Sequence, residues 1–379
     1  MSSPVRILHF HSSFDLGGKE ARAARLMGAW GDRARHVLVS GVPEALGARD
    51  AIPPGVRYEI AQDAPPLTGK PSVARFEAIA RLMRRFDLVL TYNWGAIDGV
   101  MARRAFPKGA PPVVHHEDGF NADEASGLKM QRNVYRRIAL PAAAALVVPS
   151  RTLEGVALKA WKQPAARVHR IPNGIATALY AKPPRPDAIP GLVKEADEVV
   201  IGAMAGLRAV KDLPMLVRAA GGLAGRIRLV IVGDGPERES IEEAAFAMGL
   251  ADRLVLPGFL PEPYRYVGLF DVMALSSLSE QFPISVVEGM AAGLPIASTP
   301  VGDVAEMIAP ENRPYVTPLH NEVFLRDALQ PLVSHEAGRR HLGRLNQAKA
   351  QAEYDEAAMI TRYRELYERV LGRPGALSP

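Results

Sequence analysis

Short runs rich in aliphatic and β-branched residues alternate with helical stretches along this chain, and the whole pattern occurs twice. Such alternation is typical of a parallel sheet covered by helices on both faces. Two rounds of it predict an α/β protein with two Rossmann-like, doubly wound domains. A length of 379 residues supports this prediction, because it exceeds what one ordinary core requires.

The predicted strands are short and evenly spread. In the first half they cover residues 5–10, 36–40, 87–92, 112–116 and 144–149, with helices at 19–30, 73–85 and 124–140. In the second half they cover residues 199–205, 228–233, 253–257, 272–276 and 294–298, with helices at 213–222, 236–248 and 286–292.

A cluster of prolines between Pro172 and Pro190 separates the two halves, as is typical of a linker. We therefore predict domains at residues 1–172 and 173–352. The apolar spacing in residues 353–379 predicts a terminal helix, which we expect to cross back to the N-terminal domain. Ligands of doubly wound sheets bind at the carboxyl ends of the strands, so the two domains are expected to face each other across a ligand-binding cleft.

Composition excludes several kinds of chemistry. The chain has no cysteine, which rules out disulfides, thiolate nucleophiles and cysteine-ligated metals. The N-terminus runs directly into the first strand without the apolar core of a signal peptide. The longest apolar stretch, residues 139–149, is about half of the roughly 20 residues of a membrane helix. We expect a cytoplasmic protein without a membrane span.

Charge is distributed unevenly. Residues 1–172 carry 25 Lys and Arg against 15 Asp and Glu, whereas residues 173–379 carry 21 against 26. A basic half attracts anionic lipid headgroups at the inner face of a membrane, or an acidic acceptor, although a solvated arginine-rich surface explains it equally well. No nucleic-acid partner is expected. The basic residues considered for this surface are Arg81, Arg84, Arg85, Lys129, Arg132, Arg136 and Arg137.

Two loops that follow first strands carry groups suited to phosphate. Gly17 and Gly18 lie between the first strand and the first helix, where backbone N–H groups can approach a phosphate or a sugar. Paired glycines also occur there for turn geometry alone. Arg208 and Lys211 follow the first strand of the second domain and can neutralise a diphosphate leaving group. Plain surface exposure is the alternative for these two cations.

A third loop, residues 279–295, carries two glutamates. We predict that Glu280 lies in the loop and that a helix begins near Ser285 and stops at Gly293, which places Glu288 in its first turn. Carboxylates suit ribose and sugar hydroxyls because each accepts two hydrogen bonds. The alternative for Glu288 is a capping box with Ser285 that only closes the helix start.

These motifs carry a family resemblance. Glu280-x7-Glu288, Ala291-Ala292-Gly293-Leu294-Pro295 and the run at residues 301–306 resemble glycosyltransferase family 4 of the retaining GT-B enzymes. The resemblance extends to the Gly-Gly-Lys-Glu run at residues 17–20 and the Ile-Pro-Asn-Gly run at residues 171–174, and it covers most of the chain.

The resemblance implies roles for individual residues. Glu288 would bind the donor ribose, Glu280 and the backbone of residues 282–284 the donor sugar, and Arg208 with Lys211 the diphosphate. His115 or His116 would lie on the sugar side of the reaction centre. The implied donor-binding set is Gly17, Gly18, Arg208, Lys211, Gly233, Glu280, Phe282, Pro283, Ile284, Ser285 and Glu288, and the implied catalytic set is His115, His116, Glu280, Arg208 and Lys211.

The implied reaction is transfer of a sugar, with retention and without metal, from a UDP- or GDP-sugar to a glycan or lipid-linked acceptor in cell-envelope polysaccharide or glycolipid synthesis. No cofactor beyond the nucleotide sugar is expected. The sequence lacks an Asp-x-Asp triplet, and the four adjacent residues from His115 to Asp118 cannot all converge on one ion. Alternatives are a nucleotide-sugar epimerase or a phosphorylase on the same fold, or a non-catalytic sugar-nucleotide-binding paralogue.

The chain departs from the family pattern at two positions. Gly206 occupies a position where many relatives have arginine, so Arg208 is the available substitute. Pro283 occupies a position where relatives usually have glycine, and it has no N–H to donate to the donor. We expect Pro283 to alter sugar preference.

Overall fold

A computed structural model describes residues 3–15, 17–67, 69–120, 124 and 127–378. The chain divides into two compact units. The first unit contains the residues up to Asn173 together with those from Met359 onward, and the second unit contains Gly174–Ala358. Each unit is built on one parallel sheet flanked by helices.

The first unit holds a seven-stranded sheet in the order β3-β2-β1-β4-β5-β6-β7. Its strands are β1 (Val5–His11), β2 (Ala34–Ser40), β3 (Tyr58–Ile60), β4 (Leu88–Tyr92), β5 (Val113–His116), β6 (Ala145–Val148) and β7 (Val168–Arg170). Its helices are α1 (Gly18–Trp30), α2 (Val73–Met83), α3 (Asp98–Ala105), α4 (Met130–Ala139) and α5 (Arg151–Lys159).

The second unit holds a five-stranded sheet in the order β10-β9-β8-β11-β12. Its strands are β8 (Val199–Met204), β9 (Ile227–Val232), β10 (Leu254–Gly258), β11 (Val272–Leu275) and β12 (Ile296–Ser298). Its helices are α6 (Thr177–Tyr180), α7 (Leu213–Gly221), α8 (Arg238–Ala247), α9 (Ile284–Ala291), α10 (Val304–Met307), α11 (Glu322–Ser334) and α12 (Glu336–Glu353), and α13 (Glu356–Leu371) follows.

Strand periodicity explains why each sheet is buried on both faces. In β9, Val230 and Val232 join one buried cluster, whereas Leu229 and Ile231 join the cluster on the opposite face. Successive strand side chains point to opposite faces, so a continuous aliphatic run supplies two cores at once. The α/β prediction rested on such runs, and all ten strands it named are present.

Two strands escaped prediction. β3 and β7 are three residues long and lie at the two edges of the seven-stranded sheet. β3 is half-exposed and β7 contains histidine and arginine, so neither gives an apolar run. Short edge strands with polar side chains carry little sequence signal, because only one side is covered by a neighbouring strand.

Two helices differ from their predicted bounds. The helix expected from residue 124 begins at Met130, and part of the difference lies outside the described residues. The terminal helix expected over residues 353–371 is two helices, because α12 ends at Glu353 and α13 begins at Glu356. α13 packs on the first unit through Met359, Tyr363 and Tyr367, whose spacing of four places them on one helical face.

Candidate functional site

The two central strands of the second unit define the point at which its chain order reverses. From β8 the chain continues outward to β9 and β10, and it then returns to the other side of β8 with β11 and β12. Ligands of open parallel sheets bind beyond the carboxyl ends of the strands at such a switch point. The loops after β8 and β11, residues 205–212 and 276–283, therefore form the candidate site.

An ion pair joins these two loops. The Lys211 Nζ lies 2.5 Å from Glu280 Oε1, and the Ser277 hydroxyl donates to the same oxygen at 2.8 Å. The Lys211 side chain is 24% exposed and that of Glu280 is 14% exposed. Both charges are thus held in place at the switch point, and both remain partly open to solvent.

Two hydrogen bonds to main-chain carbonyl oxygens fix the separation of the same two loops. The Ser276 hydroxyl donates to the Lys211 carbonyl at 2.8 Å, and the Leu278 N–H donates to the Val210 carbonyl at 2.8 Å. These bonds tie residues on both sides of the ion pair to each other. The ion pair therefore rests on a rigid backbone frame rather than on side-chain contact alone.

His320 holds the end of the lysine-bearing loop. Its Nε2 lies 3.1 Å from the Ser276 carbonyl oxygen and 3.2 Å from Asp212 Oδ2. Asp212 has φ +42°, a left-handed conformation that needs support from its surroundings. Both neighbours of Nε2 are acceptors, so this nitrogen carries a proton. The sequence analysis did not select His320, because it lies 40 residues beyond Glu280 with no motif around it.

Arg208 lies at the open side of the loop. Its side chain is exposed, and within the described ranges it makes no ion pair or side-chain hydrogen bond. A Cβ added at Gly206 would lie 3.4 Å from Arg208 Nε, so the guanidinium occupies space that a larger residue at 206 would contest. Gly206 and Arg208 therefore share the same space, and the substitution of Arg208 for the arginine of relatives stays a prediction.

Gly233 permits a close approach between neighbouring loops. A Cβ at this position would lie 1.8 Å from the Ala205 carbonyl oxygen, and its φ is +149°. Both features exclude a side chain. The observed contact is backbone to backbone, which brings the end of β9 against the loop that carries Arg208 and Lys211.

The start of α9 differs from its prediction. The helix begins at Ile284, and its N-cap residue is Pro283 with no side-chain cap. Ser285 therefore lies inside the first turn, Glu288 lies in the second turn, and the capping-box alternative for Glu288 is wrong. Instead, Glu288 Oε1 accepts a hydrogen bond from the Tyr180 hydroxyl at 2.8 Å.

Phe282 and Gly302 shape the turn that precedes α9. Phe282 is buried against the Tyr354 ring, with centroids 5.5 Å apart. A Cβ on Gly302 would lie 2.6 Å from the Gln281 carbonyl oxygen, and Gly302 has φ +52°. The backbone at residues 282–284, which we predict to contact the donor sugar, is thus held in place by the packing of Phe282 and by the tight loop at Gly302.

In the first unit, the predicted glycines open α1. Gly17 is its N-cap and Gly18 its first residue. The next residue, Lys19, forms an ion pair with Glu20. Burial, opposed in part by the charge of Asp118, lowers the pKa of Lys19 to about 8.

A buried arginine follows on the same helix. Arg22 binds both carboxylate oxygens of Asp118 and donates to Asn173 Oδ1 at 2.7 Å. Asp118 and Asn173 lie in runs that the sequence analysis named, but it did not select Arg22. From sequence alone, Arg22 is indistinguishable from an arginine on the exposed face of a helix. The bidentate pair compensates two charges that burial would otherwise make costly.

His115 and His116 point to opposite faces of β5, and neither side chain is exposed. The His115 Nδ1 lies 2.7 Å from the Thr91 hydroxyl, and the His116 Nε2 lies 2.8 Å from the Tyr367 hydroxyl. Burial, reinforced by the charge of Arg22, lowers the pKa of His116 to about 3. The expectation that one ring faces a ligand is not met in this structure, because both rings pack against protein.

The proposed basic surface is also smaller than expected. Arg136 is fully buried, and it contacts Glu117 at 3.2 Å and the faces of three aromatic rings. Arg132 pairs with Glu124 at 2.8 Å. Arg136 thus belongs to the core of the first unit, and Arg132 is largely covered by its acidic partner and by the Trp94 ring.

Two features are absent from the described ranges of the chain. Over those ranges no three or more His, Asp or Glu side chains converge as a metal-binding group. Over the same ranges no helix is both long enough and apolar enough to cross a membrane.

Comparison with known proteins places both units in one class. Residues 16–179 match the family described as Glycosyltransferase Family 4, and residues 198–335 match Glycosyl transferases group 1. EpsF of Bacillus subtilis is 31% identical over 210 residues, which are 52% of this chain and 53% of that protein. The lipopolysaccharide core biosynthesis glycosyltransferase LpsD of Rhizobium meliloti is 27% identical over 195 residues, 52% of this chain and 57% of LpsD. The chain thus matches about half the length of these curated relatives.

Solved structures agree at the level of fold. The complex of Anabaena HepE with UDP and glucose superposes with a TM-score of 0.80 at 18% identity, covering 96% of this chain and all of HepE. Sucrose-phosphate synthase of Thermosynechococcus elongatus gives a TM-score of 0.77 at 22% identity, covering 97% of this chain and 99% of the other. The GT-B fold predicted from sequence is confirmed, and the chain belongs to the GT-B glycosyltransferases of family 4 and group 1.

Proposed function

We propose that the chain transfers a sugar, with retention of configuration and without a metal ion, from a UDP- or GDP-sugar to a glycan or lipid-linked acceptor. The names of its relatives support the setting: LpsD acts in lipopolysaccharide core biosynthesis, and HepE was crystallised with UDP-glucose. Polysaccharide or glycolipid synthesis is the process that fits both.

The ion pair between Lys211 and Glu280 carries the proposal. It presents one cation and one carboxylate side by side at the switch point of the second sheet. A nucleotide sugar offers the complementary arrangement, with an anionic diphosphate next to a sugar rich in hydroxyl donors. Lys211 then binds the diphosphate, and Glu280 accepts hydrogen bonds from the sugar.

Lys211 of this ion pair also stabilises the charge of the leaving diphosphate. As the bond to the sugar breaks, negative charge grows on the diphosphate, and Lys211 with the exposed Arg208 lies where that charge is stabilised. Two protein cations take the role that a metal ion has in other transferases. Glu288 and its partner Tyr180 form the ribose end of the site.

Retention follows in the proposal from a same-face reaction, in which the acceptor hydroxyl attacks on the side from which the diphosphate leaves. Such a reaction requires no strong protein nucleophile. The barrier falls chiefly through positioning of both substrates and through stabilisation of the departing charge. The acceptor belongs to the first unit in this scheme, which carries the excess of basic residues.

A transfer assay tests the proposal. The purified chain is incubated with radiolabelled UDP- and GDP-sugars and a membrane extract as acceptor source, with and without EDTA. We expect label to enter acceptor with at least one donor, at a rate that EDTA leaves unchanged. Absence of transfer with every donor would refute the enzymatic proposal, and loss of transfer on adding EDTA would refute its metal-free form.

A further inference from the structure

A cavity of about 410 Å³ lies at the amino-terminal ends of the strands of the first sheet. The Gly17–Gly18 loop lies at the other, carboxyl-terminal ends of these strands. The amino ends of β1, β2 and β3 and the segment before β4 form its walls. Four arginines line it: Arg6, Arg35, Arg57 and Arg85. This volume falls in the range of small-molecule sites.

The charges around this arginine cavity are only partly compensated. Arg6 lies 3.6 Å from Asp87, and Arg57 lies 2.7 Å from Asp32. Glu59 also lines the cavity, and Arg373 reaches Asp87 at 4.0 Å. Five arginines against three carboxylates leave a net charge of +2. A phosphomonoester carries about −1.5 to −2 at neutral pH and matches this excess.

Two of the arginines have no partner. Among the described residues, the side chains of Arg35 and Arg85 make no hydrogen bond or ion pair. Arg35 also lies next to Arg6 in the register of β1 and β2, so two like charges begin neighbouring strands. Folding alone gives no reason for this repulsion, since any polar residue suits a solvent-exposed strand start.

We propose that the arginine cavity is an anion-binding site for a phosphate group, with Arg35 and Arg85 as its principal ligands. Guanidinium groups bind phosphate oxygens in pairs, which suits two unpartnered arginines on adjacent walls. Phe86 and Val37 add an apolar side that accommodates the organic part of a phosphomonoester or phosphodiester. The site lies in the first unit, whereas the loops after β8 and β11 belong to the second unit.

Phosphate can reach this site as a soluble compound or as a lipid headgroup, and two assays separate these sources. Isothermal titration with inorganic phosphate and with a water-soluble short-chain phosphatidic acid measures the soluble form. Co-sedimentation with phosphatidylcholine vesicles, with and without 20% phosphatidylglycerol, measures the headgroup form. Both are performed without a nucleotide sugar, so the result does not depend on transferase activity.

The decisive variant reverses the two unpartnered charges. We expect R35E/R85E to weaken phosphate or vesicle binding at least about tenfold, since both principal ligands become repulsive. The control R344E/R362E changes the net charge equally at two exposed arginines elsewhere. We expect it to leave affinity within about twofold, because long-range charge is screened in salt.

Binding only to soluble phosphate supports a soluble ligand, and binding only to anionic vesicles supports a headgroup. No binding of either probe, or equal losses in R35E/R85E and its control, would overturn the proposal.

Discussion

The lysine of the inter-loop ion pair offers the sharpest perturbation of the candidate site. Replacing Lys211 by methionine keeps the length and the apolar stem but removes the ammonium group, which lies 2.5 Å from Glu280. If Lys211 binds the donor diphosphate, K211M loses one charge-assisted hydrogen bond. Such a bond is worth about 1.5–3 kcal/mol, so we expect nucleoside diphosphate affinity to fall about 10- to 150-fold.

Fold stability is expected to change far less. Both members of the pair are partly exposed, and pairs of this kind contribute about 0–1 kcal/mol. Glu280 keeps the Ser277 hydroxyl as a donor at 2.8 Å after the lysine is removed. A large loss of affinity with a small loss of stability is therefore the signature of a ligand-binding lysine.

Replacing Glu280, the partner of Lys211, is expected to have the opposite effect on the affinity for a nucleoside diphosphate. In the free protein Glu280 neutralises Lys211, so E280Q releases the lysine for a diphosphate. We expect E280Q to bind UDP or GDP as tightly as the unaltered chain or more tightly, but to bind the sugar-bearing donor more weakly. The difference arises because only the sugar uses the carboxylate as an acceptor.

Isothermal titration with UDP, GDP and their sugars measures both effects. The matched control is K194M, because the Lys194 Nζ lies 2.7 Å from Asp271 Oδ2 in the same unit at the opposite edge of the sheet. We expect K194M to leave every affinity unchanged within about twofold. An unchanged diphosphate affinity in K211M, or equal losses in K211M and K194M, would refute the reasoning.

Three further predictions follow from other contacts. E288Q keeps an acceptor for the Tyr180 hydroxyl whereas E288A does not, so E288A should lower the melting temperature more than E288Q. Both variants should bind nucleotide more weakly in a titration. Unchanged affinity in both would show that Glu288 has only a structural role. G233A should lower the free energy of unfolding in urea by about 2–4 kcal/mol, because its Cβ would lie 1.8 Å from the Ala205 carbonyl oxygen. The control G249A, at a glycine of positive φ with no atom within 4 Å, should lower it by less. Equal losses in the two variants would contradict the role given to the close approach at Gly233. Burial lowers the pKa of His36 to about 4 and that of His116 to about 3, so below about pH 6.5 the unfolded chain binds protons on both histidines before the folded chain does. Stability should therefore fall by roughly 1 kcal/mol per pH unit for each histidine between pH 6 and pH 4. Hydrogen exchange that shows no faster opening of the first unit than of the second in acid would contradict this.

The fold was readable from the sequence because parallel strands leave a strong pattern. A run such as residues 227–232 must cover two cores, so it is aliphatic throughout. The same reasoning brought Lys211 and Glu280 to one sheet edge, since both follow central strands. What failed were features set by distant partners, because neither a capping pattern nor a strand end specifies which side chain will meet it.

Glu288 and His116 illustrate this limit. The spacing of Ser285 and Glu288 fits a capping box, but the helix begins one residue before Ser285. Glu288 instead accepts a hydrogen bond from Tyr180, 108 residues away. His116 ends a predicted strand, but its ring is covered by Tyr367, 251 residues away on the terminal helix. Contacts across such separations have no local signal, and His320 and Arg22 were missed for the same reason.

We propose that the donor diphosphate binds between the loops after β8 and β11. A crystal structure with a soaked nucleoside diphosphate is the direct test of this binding site. We expect phosphate oxygens within hydrogen-bond distance of the Lys211 Nζ, with the Lys211–Glu280 contact lengthened. Diphosphate density on any other part of the chain, with that contact intact, would contradict the proposed binding site.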